Sequence, residues 1–158
     1  MKSDRLLIGW AYLAELFCAT LITAFISLFV PELKLAEFLS KTAGAWAALT
    51  GGLFAVAMAI WIVLFQVSAT PFGDWLDRRG ALRIYSLGFA TAAGVYAGAT
   101  ALLIVTSFAA TSVSLINYLA LFGLLLAVLN TYTVVRNGTD LLRLQSAFRT
   151  RIRGMHKK

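Results

Sequence analysis

The sequence predicts an all-α polytopic membrane protein, a four-transmembrane-helix bundle followed by a basic, amphipathic C-terminal cytoplasmic helix. Three observations predict it. Hydrophobic residues make up 60% of the 158 residues and charged ones only 13%, outside the range of an ordinary soluble domain. The apolar residues gather in four stretches, 6–30, 43–69, 84–109 and 115–136, each at least as long as the ~20 residues that carry a helix across ~30 Å of hydrocarbon. Of the fourteen Lys and Arg residues, only Lys34 and Lys41 fall in the odd-numbered connections, and the other twelve lie at the two termini and in the 70–83 connection. Basic residues concentrate in cytoplasmic loops, so both termini are expected to be cytoplasmic, in an inner membrane of bacterial type.

The first stretch reads as a retained span, because it is about 25 residues long with no small-residue cleavage site behind a short apolar core. Glu15 is the one charged residue deep within it. Nine residues past Leu6, at ~1.5 Å each, it lies ~13 Å into the bilayer, where a carboxylate costs about 3 kcal/mol on insertion scales. Burial disfavours the charged form of a carboxyl group, so Glu15 is either a hydrogen-bonded cross-link between helices or a site for protons or a cationic ligand. Ala11, Ala19, Thr23 and Ser27 share its four-residue register. Tyr96 in the third stretch and Asn130 or Thr131 in the fourth are its candidate partners at comparable depth.

The connection 31–42 opens with Pro31, a helix stop, and then spaces Leu35, Phe38 and Leu39 for one face, which predicts a short interfacial helix. In the second span Ala43, Ala47, Gly51, Ala55 and Ala59 recur every four residues. In the third, Ser86, Ala90, Gly94 and Gly98 do the same. Small side chains in this register let two backbones approach, which matters where lipid removes the hydrophobic drive to associate. Such a ladder drifts about 40° per step around a 3.6-residue helix, so about three members face one partner at once.

The connection 70–80 mixes turn residues with Trp75, suited to a membrane boundary, and with Asp74 and Arg78 at i, i+4, and it reads as a solvated, topology-anchoring loop. Past Asn137-Gly138 a helix is expected to restart with Thr139 or Asp140 as cap, placing Leu141, Leu144, Phe148 and Ile152 on one apolar side. Arg143, Arg149, Arg151, Arg153, Lys157 and Lys158 give this 137–158 tail six basic residues with no acid after Leu142. Each is worth about 1 kcal/mol near an anionic leaflet, so the tail is expected to lie on the lipid surface. Nucleic acid is not the expected partner, since topology already requires the charge and no aromatic residues alternate with it beyond Phe148.

Two short segments resemble transporters. Residues 9–21, Gly-Trp-Ala-Tyr-Leu-Ala-Glu-Leu-Phe-Cys-Ala-Thr-Leu, look like the first helix of the small multidrug resistance family, four-helix proton-coupled exporters. That likeness implies that proton and cationic substrate compete at Glu15. The Ala-Glu-x-x-x-Thr spacing is also similar to the first helix of aquaporins, whose Asn-Pro-Ala boxes are absent here. Gly73-Asp-Trp-Leu-Asp-Arg-Arg-Gly80 is similar to the loop between the second and third helices of major facilitator transporters. The later helices do not follow the exporter pattern, and the one-sided charge differs from the antiparallel pairing of that family.

No metal and no cofactor are expected. Cys18 is the only cysteine and His156, in the tail, the only histidine, which leaves no bis-His haem site and no base for a Ser or Cys nucleophile. No HExxH helix, phosphate loop or pair of membrane carboxylates is present, so an enzyme is not expected. Two functions remain. One is a non-catalytic protein acting through helix–helix contacts, as an accessory or assembly subunit of a membrane complex, as an immunity-type inhibitor of a pore former, or with itself as a homo-oligomer. The other is a small oligomeric proton-coupled transporter built on Glu15.

Overall fold

Pro31 and Pro71 each open a helix, and between them the chain has nothing to stop it. The computed structural model describes the backbone of residues 2–109 and 114–155 and the side chains of 12–108 and 114–150. Every element among the described residues is a helix: α1 (Lys2–Phe29), α2 (Glu32–Ser68), α3 (Pro71–Arg78), α4 (Ala81–Ala109) and α5 (Ser114–Met155). Four of them, α1, α2, α4 and α5, are long and apolar enough to cross a membrane. That is the span number expected, with α2 and α5 running furthest beyond the expected stretches.

α2 runs without a break for 37 residues from Glu32, so the expected short interfacial helix at 31–42 is its first turns. The physical reason is that Pro31 sits before the first turn, where its missing N–H is not needed, and Glu32 complements the helix dipole there. Leu35 and Leu39 then bury against Leu121 and Leu124 of α5 and Leu103 of α4, forming the core of the end opposite the termini. The Ser114 hydroxyl donates to the Glu32 carboxylate and ties the starts of α5 and α2 together.

The 70–80 connection is a helix rather than a loop. Thr70 caps it by accepting the Gly73 N–H at 3.2 Å, Pro71 occupies the first turn, and Gly80, at φ +68°, stops it in the left-handed region. Asp74 and Arg78 keep their i, i+4 spacing without an ion pair, and Arg79 instead lies 4.2 Å over the Trp75 ring. Gly73 has no room for a side chain: a Cβ there would lie 2.7 Å from Ser68 Cα and 2.8 Å from Ser68 O, and closer still to the Val67 carbonyl. α3 therefore crosses directly on the last turn of α2.

α4 packs along α2 on one side and α5 on the other. Thr50 and Thr100 share a 2.8 Å hydrogen bond, and Trp61 Nε1 donates to Ser86 Oγ at 2.9 Å. Gly123 of α5 lets the α4 backbone come close, since a Cβ there would be 3.4 Å from Ala99 Cα. α1 leans mainly on α5, and Ala19 is its only fully buried side chain among those described.

α5 does not stop at Asn137-Gly138. The expected restart is absent because one glycine costs a helix only about 1 kcal/mol, and the Thr139 hydroxyl bonds back to the Val135 carbonyl at 2.9 Å instead of capping a new helix. The tail through Met155 is thus a continuation of α5. Phe148 turns inward and meets Phe72 and Trp75 of α3 at 5.4 and 5.5 Å between ring centroids.

Candidate functional site

Glu15 of α1 stands where α1 and α5 run antiparallel, and both its oxygens are occupied. Asn130 Nδ2 donates to Oε2 at 3.0 Å, and the Thr133 hydroxyl donates to Oε1. Asn130 and Thr133 are three residues apart and so lie on one face of α5. Of the candidate partners, Asn130 is engaged directly, whereas Tyr96 and Thr131 pair with each other at 3.0 Å. Thr133 is the partner that sequence reading missed, although its i, i+3 relation to Asn130 was the available signal. One turn away, Tyr12 donates to the Gly88 carbonyl of α4 at 3.0 Å.

The result is a polar layer joining three helices inside otherwise apolar surroundings. Asn130 is 1% exposed and its Oδ1 has no hydrogen-bond partner among the described residues. A carboxylate that accepts from two donors on a neighbouring helix is a cross-link: in lipid such bonds are worth roughly 0.6–1.7 kcal/mol each and stand in for the absent hydrophobic drive. The layer is also the one place in the described spans where a carboxylate, an amide and two phenols converge.

The small-residue ladders divide between inside and outside. On α2, Ala43 and Ala47 are buried and Gly51 is half-buried against Thr100, while Ala55 and Ala59 are exposed. On α4, Ala90 is half-buried, whereas Gly94 and Gly98 are exposed, with no atom of the described residues within 4 Å of where a Cβ would stand. The four-residue drift explains both: the face that α4 buries runs through Phe89, Ala92, Ala93, Tyr96, Ala99 and Leu103, one residue off the ladder. Of the tail cations, Arg143 and Arg149 are exposed, Arg143 lying 3.7 Å from Asp140. The side chains of Arg151, Arg153, Lys157 and Lys158 lie outside the described ones. Among the described residues no group of three or more His, Cys, Asp or Glu could hold a metal ion.

Comparison with protein-family models, with curated proteins and with solved structures finds no match to this chain.

Proposed function

We propose that the protein is a non-catalytic component of a membrane complex, acting through helix–helix contact with another membrane protein from the cytoplasmic membrane, with both termini on the cytoplasmic side. The observation that carries this reading is the outward placement of Gly94 and Gly98, a pair spaced for the close approach of a second helix and unused in packing among the described residues. The occupation of both Glu15 oxygens supports it, since the deep carboxylate then has a structural task. An accessory or assembly subunit and an immunity-type blocker of a pore former both work in this way. The basic tail, Arg143 and Arg149 onward to Lys158, adds attraction to anionic headgroups at ~1 kcal/mol per cation.

Purification in mild detergent tests it. The wild-type chain brings down a stoichiometric companion, and Gly98→Leu, which fills the outward groove, loses that companion while remaining monodisperse. A wild type that elutes alone as a monomer overturns the reading.

The buried, unpartnered Asn130 Oδ1 beside Glu15 favours a second reading, proton-coupled transport through this polar layer. Proteoliposomes decide it: pH-driven flux abolished by Glu15→Gln supports transport, and equal flux or none in both proteins ends it.

A further inference from the structure

Arg136 lies deeper in its span than its place in the sequence indicates. No charged residue precedes it in α5, so by composition the apolar stretch simply ends there. Packing sets a different level. The Asn137 side chain stands against Gly88 of α4, its Nδ2 3.4 Å from where a Cβ would be. Gly88 is five residues past Arg83, the cation in the first turn of α4, so Arg136 lies ~7.5 Å further into the span than Arg83 at ~1.5 Å per residue. Arg136 is exposed, and among the described residues it enters no ion pair. Its face is fixed by the unbroken helix: Val128, Tyr132, Arg136, Thr139 and Arg143 follow at steps of three or four residues, and all are exposed. Asn130 and Thr133 meet α1 on another side, and Ala127 and Val134 meet the core.

A lipid-facing cation at this depth is costly without a counter-ion. Asp140, one turn along the same helix, is 3.7 Å from Arg143 instead. Two kinds of anion can neutralise Arg136 from outside the chain, a carboxylate on a neighbouring membrane helix or a lipid phosphate. Side-chain size favours the phosphate. Val128, 54% exposed, and Tyr132, 71% exposed, hold a second helix away from this face, whereas close helix contact needs small residues. Toward the end that carries the termini, the stripe continues through Thr139 and Arg143 as an open polar track, along which the long Arg136 side chain extends to headgroup level. Charge then selects the headgroup. Arg136, Asp140 and Arg143 together carry one net positive charge, which a single phosphodiester matches; the ammonium of an ethanolamine headgroup would meet Arg143 as a like charge. We infer that the outward face of α5 binds one anionic phospholipid of the phosphatidylglycerol type. The Arg136 guanidinium holds its phosphate, and its acyl chains run along Tyr132 and Val128. The inference rests on the membrane placement of the four spans and is independent of any protein companion.

The test uses the full chain in detergent and native mass spectrometry with equimolar phosphatidylglycerol and phosphatidylethanolamine of identical acyl chains. One phosphatidylglycerol is retained over its ethanolamine counterpart by about tenfold, the scale of one charge-assisted hydrogen bond. Arg136→Gln brings the two to parity, whereas Arg149→Gln, which removes the same charge from the tail, leaves the preference in place. Because each readout is a ratio of lipids on the same folded protein, partial loss of a variant does not obscure it. Parity in the wild type, no lipid retained, a preference that survives Arg136→Gln, or equal losses from Arg136→Gln and Arg149→Gln overturns the inference. A lipid ratio unchanged by Arg136→Gln together with loss of a co-purified protein assigns the arginine to a helix contact and likewise overturns it. Displacement of the lipid by glycerol 3-phosphate at the same concentration overturns the lipid as the source.

Discussion

Gly73→Ala is the sharpest probe of how α3 is held. The added methyl would stand 2.7 and 2.8 Å from Ser68 Cα and O and nearer still to the Val67 carbonyl oxygen, and all three belong to backbone that cannot rotate aside. Relief requires α3 to retreat by roughly 1 Å, because ordinary carbon contacts begin at about 3.5 Å. The retreat loosens Phe72, 7% exposed, and Leu76, fully buried. Overpacking of this kind costs about 1–3 kcal/mol, and partial re-exposure of two side chains, each worth about 1.5–3 kcal/mol when fully buried, adds to it. The expected loss is about 2–4 kcal/mol. Reversible unfolding in mixed micelles measures it, with Gly94→Ala as control, where the new methyl meets nothing and no more than about 0.5 kcal/mol is expected. A Gly73→Ala variant as stable as that control would refute the close crossing of α2 and α3.

Three further outcomes follow from the same contacts. Glu15→Leu leaves the donors of Asn130 and Thr133 unpaired and is expected to destabilise by about 1–3 kcal/mol, whereas Glu15→Gln is expected to lose less than about 1 kcal/mol, because the Asn130 amide can turn and offer its free Oδ1 to the new N–H. Unfolding in mixed micelles separates them, and equal losses from both variants contradict the cross-link. Thr50→Val removes the bond to Thr100 and is expected to cost about 1 kcal/mol by the same measurement. Phe148→Ala withdraws the ring that meets Phe72 and Trp75, so trypsin cleavage at Arg149 is expected to accelerate several-fold; an unchanged rate would place the tail's stability elsewhere.

The sequence reading found the helices that need only length and apolarity to declare themselves, and it erred where a local stop signal was weaker than its neighbours. Pro31 was legible as a boundary, but nothing between Lys41 and Ala43 could end the helix it begins, so α2 is one element. Asn137-Gly138 looked like punctuation, yet a helix already 24 residues long at Gly138 absorbs one unfavourable residue. The α3 signal was present in Thr70-Pro71 with Asp74 in the first turn and Gly80 at the end, and the density of turn residues masked it. Glu15 and Asn130 could be matched by depth along their spans. Their geometry with Thr133 depended on the rotation of α5 about its axis, which sequence does not carry. For the same reason the glycines of α4 could be recognised as a packing pair without revealing that they face outward.

α5 extends unbroken for 42 residues, which at 1.5 Å each makes a rod of ~63 Å, about twice the thickness of the hydrocarbon it would cross. With no hinge along its length, it behaves as a lever. Asn130 and Thr133, which clasp Glu15 of α1, and Phe148, which meets Phe72 and Trp75 of α3, therefore stand on one continuous shaft. Tilting or rotating that shaft would disturb both attachments together.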